Sequence, residues 1–153
     1  MAECNYFGGQ ITLYLRCLLG IVLVFFASMA PAENLPVVVV NATISPPPLL
    51  SRNALGAIFG MRLRKWNDGS PIRVFVLPDD NPIHISFSKY VLKVFPYQLR
   101  SAWDRLVFSG TGEEPIKVKS EQQMLTIVGS TPGAIGYLSR SLIDETVKAI
   151  LFE

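Results

Sequence analysis

Apolar and polar positions fall in blocks along this chain, with strand-like runs separated by stretches of helical spacing. Residues 35–40, LPVVVV, form a β-branched run without polar alternation, the pattern of a strand covered on both faces. Residues 72–77, IRVFVL, predict a second strand, 134–138 a third and 147–152 a last one. Ser51 is a good N-cap for a helix over 52–59, with Leu55, Ile58 and Phe59 on one face and Gly60 as its stop. Asn81 caps, and Pro82 opens, a helix over 82–94 that places Ile83, Phe87, Tyr90, Val91 and Val94 together. A helix over 96–108 turns Leu99, Trp103, Leu106 and Val107 inward. Ser120 and Gln123 make a capping-box pattern for a helix over 120–128 carrying Met124, Leu125 and Val128. Strands separated by helices predict an α/β layer structure, with a mixed, mostly parallel sheet covered by helices.

The stretch that organises these elements is 125–139, LTIVGSTPGAIGYLS. It reads as the end of a helix, a turn at Pro132-Gly133, and a short buried strand. Gly136 inside that strand implies a close approach to its backbone. Tyr137 is expected to pack near Trp103 or Phe87.

Composition changes the picture at the N-terminus. Half of the 153 residues are hydrophobic and only 17% are charged, but part of that excess is local. Arg16 precedes an uncharged apolar run over 17–27, followed by Ser28-Met29-Ala30-Pro31-Ala32. This is the order of a secretory signal peptide, with cleavage expected after Ala32. The rival reading is an uncleaved anchor, although the run is short for a bilayer span. The expected organisation is a signal peptide over 1–32 and one domain over 33–153, periplasmic or secreted, with no membrane span after cleavage.

Candidate chemistry is sparse. Cys4 and Cys17 both lie in the expected leader, and His84 is the sole histidine, so no metal site of the usual zinc type is expected. No cofactor motif stands out. The net charge of +2 and the small cluster Arg62, Arg64, Lys65 lack the extended basic patch of a nucleic-acid footprint, so no nucleic acid is expected. Ser86-x-x-Lys89 has the spacing of penicillin-binding enzymes without their companion motifs, and lies on an amphipathic helix. His84, in a first helical turn, is expected at the surface. Ser109-Gly110-Thr111-Gly112 could offer backbone N–H groups to an anion, but a flexible connecting loop is the favoured reading. With no activated nucleophile or paired acid and base, the chain does not read as an enzyme.

The order of several segments resembles the substrate-binding protein of the phosphate ABC transporter, a two-lobed periplasmic binding protein. The matching pieces are Ala57-Ile58-Phe59-Gly60, Trp66-Asn67-Asp68-Gly69, the strand 72–77, Phe87-Ser88-Lys89-Tyr90-Val91-Leu92 and Pro132-Gly133-Ala134-Ile135-Gly136-Tyr137. The resemblance implies a single periplasmic-binding-protein-like lobe, since segments for a second lobe are not found. It also implies that the anion-binding loop follows strand 72–77, with an arginine and then Ser-Gly-Thr opening a helix. Here Leu77 stands at the arginine position and Asn81-Pro82-Ile83 at Ser-Gly-Thr, so the guanidinium, both hydroxyls and one N–H are missing.

The physics of that loop agrees. A helix N-terminus attracts anions through unpaired N–H groups and its dipole. Asn81 as cap would occupy one donor and Pro82 removes another, while Asp79 and Asp80 add negative charge. Two unit charges about 4 Å apart interact by roughly 1 kcal/mol even in bulk water. The candidate ligand residues are therefore weak ones: Asn81, Ile83, Ser109, Gly110 and Thr111. The expected role is solute-binding-like and non-enzymatic, with phosphate or another small anion held weakly or not at all. The alternative is an envelope interaction module that keeps the lobe for a protein partner or for self-association.

Overall fold

The computed structural model describes residues 35–44 and 49–152, so the expected leader, its cleavage site and both cysteines lie outside the described residues. The core strands are β1 (Val37–Asn41), β2 (Arg73–Val76) and β4 (Ala134–Leu138), with β3 (Ile116–Lys117) and β5 (Val147–Ala149) at the edges. The order across the sheet is β3-β2-β4-β1-β5. β2 is parallel to β3 and β4, while β1 is antiparallel to β4 and β5. Four strands therefore share one direction and β1 alone opposes them.

Side-chain alternation decides which helix covers which face. Gly136 faces α4 (Glu121–Ser130), where a Cβ would meet Met124 Sδ at 2.6 Å and Val128 at 3.2 Å. The close approach expected at Gly136 is thus the Met124 side chain. Val39 is paired with Gly136 and shares that face; Asn41, two residues on, donates its amide to Val128 O and Gly129 O, each at 2.8 Å. Tyr137 points the other way. It stacks on Phe87 with centroids 3.9 Å apart, and Phe59 lies beside both. Phe59 ends α1 (Arg52–Phe59), capped by Ser51, whose Oγ accepts the Ala54 N–H.

Two of the matching segments touch. The Trp66 indole donates to Gly133 O at 3.2 Å, and the Arg73 N–H donates to the same carbonyl at 3.0 Å. Gly133 sits at φ +75° beneath Pro71, a conformation that suits glycine. The turn expected at Pro132-Gly133 thereby pins the start of β2 to the start of β4.

The structure corrects the second helix. α2 (Pro82–Ser86) runs into a π-helical segment (Phe87–Leu92), and Lys93 ends it at φ 58°, so the helix stops short of residue 94. The wider turn brings Phe87, Ser88, Val91 and Leu92 inward together and leaves Tyr90 44% exposed. In α3 (Pro96–Phe108), Leu99 and Trp103 are buried as expected, but Val107 is 48% exposed near the helix end. The two-residue β3 carries too little pattern to be read from sequence.

Candidate functional site

β2 leaves the sheet at its carboxyl end beside β4, with β3 on its other side. The chain passes from β2 to β3 on one flank and then returns to β4 on the other. In open α/β sheets the crevice at such a reversal, outside the carboxyl ends of the strands, is where ligands bind. The loop 77–81 occupies that place.

Its first residue faces inward. Leu77 is fully buried, and its N–H donates to the Tyr137 hydroxyl at 2.9 Å. That hydroxyl lies 2.5 Å from His84 Nδ1. His84 is fully buried, which corrects the surface position expected for it. His84 stands one turn before Phe87 and Ser88 on the buried face of the helix, and the fold packs it onto Tyr137 with its ring centroid 6.4 Å from that of Trp103. Burial lowers the His84 pKa, opposed by Asp79 and reinforced by Arg100. Burial pushes the Tyr137 hydroxyl well above its ordinary value, partly countered by the Leu77 amide.

Of the two loop carboxylates, Asp79 and Asp80, the first is already paired. Arg100, from the first half of α3, donates Nε to Asp79 Oδ2 at 3.0 Å and its terminal nitrogen to Oδ1 at 2.9 Å. The same guanidinium reaches Glu114 at 3.3 Å, and Lys117 lies 3.0 Å from that carboxylate. The hydrogen bonds to Asp79 hold the Arg100 pKa above its ordinary value. His84 Nε2 is 3.8 Å from Asp79 Oδ1, beyond hydrogen-bond reach, and is buried without a hydrogen bond.

The candidate ligand residues separate into two groups. Asn81 Oδ1 accepts the Ile83 N–H at 2.9 Å, and Pro82 has none to offer. Ser109, Gly110 and Thr111 finish α3. The backbone N–H groups of all three, and that of Gly112, bond to carbonyls of Arg105, Leu106 and Val107. The Ser109 hydroxyl donates to Arg105 O at 2.7 Å and lies 2.8 Å from the Thr111 hydroxyl. The backbone donors of both groups are thus engaged within the fold. The Asp79–Arg100 pair was missed in the sequence because 21 residues separate its members; a carboxylate and a guanidinium carry no periodic signal. Among the described residues no cluster of metal-ligating side chains occurs, and no helix is long and apolar enough to cross a membrane.

No protein-family model matches the sequence, and no curated protein is similar to it at a significant level. Solved structures do match. An ABC-type phosphate transport receptor from Vibrio cholerae superposes with a TM-score of 0.59 at 21% identity, covering 76% of this chain and 45% of that one. PstS from Borrelia burgdorferi gives a TM-score of 0.59 at 16% identity, over 77% of this chain and 47% of its own. The class of fold is therefore the periplasmic-binding-protein fold. Within that class it is the fold of phosphate ABC transporter substrate-binding proteins, as the sequence resemblance implies, and this chain spans less than half the length of those receptors.

Proposed function

We propose that this protein is an exported, non-enzymatic solute-binding-like component of a cell envelope, holding phosphate weakly or not at all. The observation that carries this reading is the Asp79–Arg100 pair at the carboxyl end of β2. A carboxylate of the chain itself occupies the guanidinium fork nearest the loop, where an anion would otherwise be bound. The Asn81 side chain on the Ile83 N–H removes a further donor. The apolar run after Arg16 and the small residues up to Ala32 support export, with a mature N-terminus at Glu33 in a periplasmic or medium fraction.

One observation favours an interaction module as the second reading. Phe95 and Tyr97 stack with centroids 5.7 Å apart while 50% and 66% exposed, and aromatic anchors of this kind are enriched at protein interfaces. Calorimetric titration of the purified exported protein with phosphate, sulfate and small carboxylates tests the first reading. Weak or absent heats are expected, and micromolar binding of phosphate overturns the loss of the site.

A further inference from the structure

A groove of about 670 Å³ lies between α1, the Leu92–Val94 exit of the π segment and α3. It shares no residue with the β2–α2 loop, so nothing below depends on the reading of that loop. Leu92, Leu99, Ala102 and Leu106 give it an apolar lining. Arg52, Arg62, Lys93 and Arg105 also line it, and no aspartate or glutamate does. Among the described residues none of these four cations takes part in an ion pair. Arg105 Nε donates to Ser101 O, and Arg52 lies over the Phe152 ring; neither contact brings a negative charge. Four like charges around one apolar concavity focus a positive potential on it.

A second feature points the same way. Gly56 lies within α1, where glycine is the poorest helix former after proline. A Cβ at Gly56 would meet nothing within 4 Å, so no neighbour in the domain requires a glycine there. Gly56 lines the groove, and the missing side chain keeps that wall open.

We infer that this groove binds a single-chain amphiphile with an anionic head, an alkyl carboxylate of the fatty-acid type. The tail lies along the leucines and the head among the rim cations. The volume is that of a small-ligand site. A hydrophilic anion would leave the apolar lining wet, and a single nucleic-acid strand would want aromatic side chains, which the groove lacks.

The test is calorimetry of the full chain with monomeric decanoate and with decyltrimethylammonium, which share a tail and differ in head charge. Decanoate should bind at least tenfold more tightly. Gly56→Leu fills the groove with a better helix former, so it should fold, checked by circular dichroism, and lose decanoate affinity at least tenfold. The double variant Arg62→Glu, Lys93→Glu keeps the groove and should shift the preference towards the ammonium. Equal affinity for the two heads overturns the inference, as does unchanged decanoate binding by Gly56→Leu. Binding to phosphatidylglycerol vesicles or to an acidic amphipathic peptide, without binding of monomeric decanoate, overturns it as well.

Discussion

The Tyr137 hydroxyl joins two buried groups, accepting the Leu77 N–H at 2.9 Å and lying 2.5 Å from His84 Nδ1. Because the amide is a donor, the phenolic proton is free for the imidazole, and Nδ1 is its acceptor. His84 is then neutral with its own proton on Nε2, the nitrogen facing Asp79.

That arrangement fixes a pH dependence. The folded pKa of His84 is lowered from 6.5, chiefly by burial, so the unfolded chain takes up the proton first. Stability from this residue is fully present above about 6.5 and falls as the pH drops below it, by at most about 1.4 kcal/mol per unit for one proton. The loss levels off once the folded pKa is passed. Asp68 and Asp144, lowered by Ser70 and Thr146, act in a separate window at and below 3.8. Urea denaturation at stepped pH checks this, and His84→Gln should flatten the profile just below pH 6.5. No other histidine can account for the slope.

Tyr137→Phe should be costly although it removes a single oxygen. It leaves the Leu77 N–H and His84 Nδ1 buried without partners, at roughly 1–3 kcal/mol for each orphaned group. The Phe87 stack is retained, so the loss reports the hydrogen bonds and not the packing. A urea midpoint within experimental error of the wild type would show that the network contributes nothing net.

The parts of the fold that were legible are those written locally. Ser51, Asn81 and Ser120 cap helices because short polar side chains bond the N–H two or three residues on, and each does so here. The strand over 134–138 and the turn before it follow from small, apolar and turn-forming residues in sequence. The π segment was not legible, because its wider turn answers to Phe87 packing on Tyr137, 50 residues further along the chain. Once the period changes at Phe87, a 3.6-residue extrapolation misplaces Tyr90; His84, in a first helical turn with no partner near it in sequence, is buried through Tyr137, 53 residues away. The candidate site was legible as a loop and a helix start. The pairing that fills it was not, since charge partners meet through the tertiary fold.

Two glycines of the 125–139 stretch should differ in their tolerance of alanine. Gly133 lies at φ +75° with the Pro71 carbonyl against its missing side chain, and neither constraint can relax locally. Gly133→Ala should cost roughly 1–3 kcal/mol and loosen the Trp66 contact. At Gly136 the obstacle is the sulfur of Met124, an adaptable side chain, so Gly136→Ala should cost only about 1 kcal/mol. Urea midpoints and Trp66 fluorescence measure the pair, and the reverse order would mean that Met124 cannot shift.

The loop after β2 allows the most direct test of what became of the anion site. The resemblance calls for arginine at Leu77, but that side chain is wholly buried and its N–H is taken by Tyr137. Leu77→Arg alone would put an unpaired charge in the core and should unfold the domain before it binds anything. The accessible guanidinium is Arg100, and its competitor is Asp79. Wild-type affinity for phosphate should be no better than roughly millimolar, about 4 kcal/mol of binding. Asp79→Asn removes the competing charge and frees part of the fork, although Glu114 still shares it. Combining it with Asn81→Ser, Pro82→Gly and Ile83→Thr returns two hydroxyls and a backbone N–H to the helix start. Calorimetry at low salt should show the combined variant about tenfold tighter than wild type, with Asp79→Asn alone between them and the gain shrinking as salt is added. Equal affinities across the series would show that Arg100 is not the residue an anion meets at this end of the sheet.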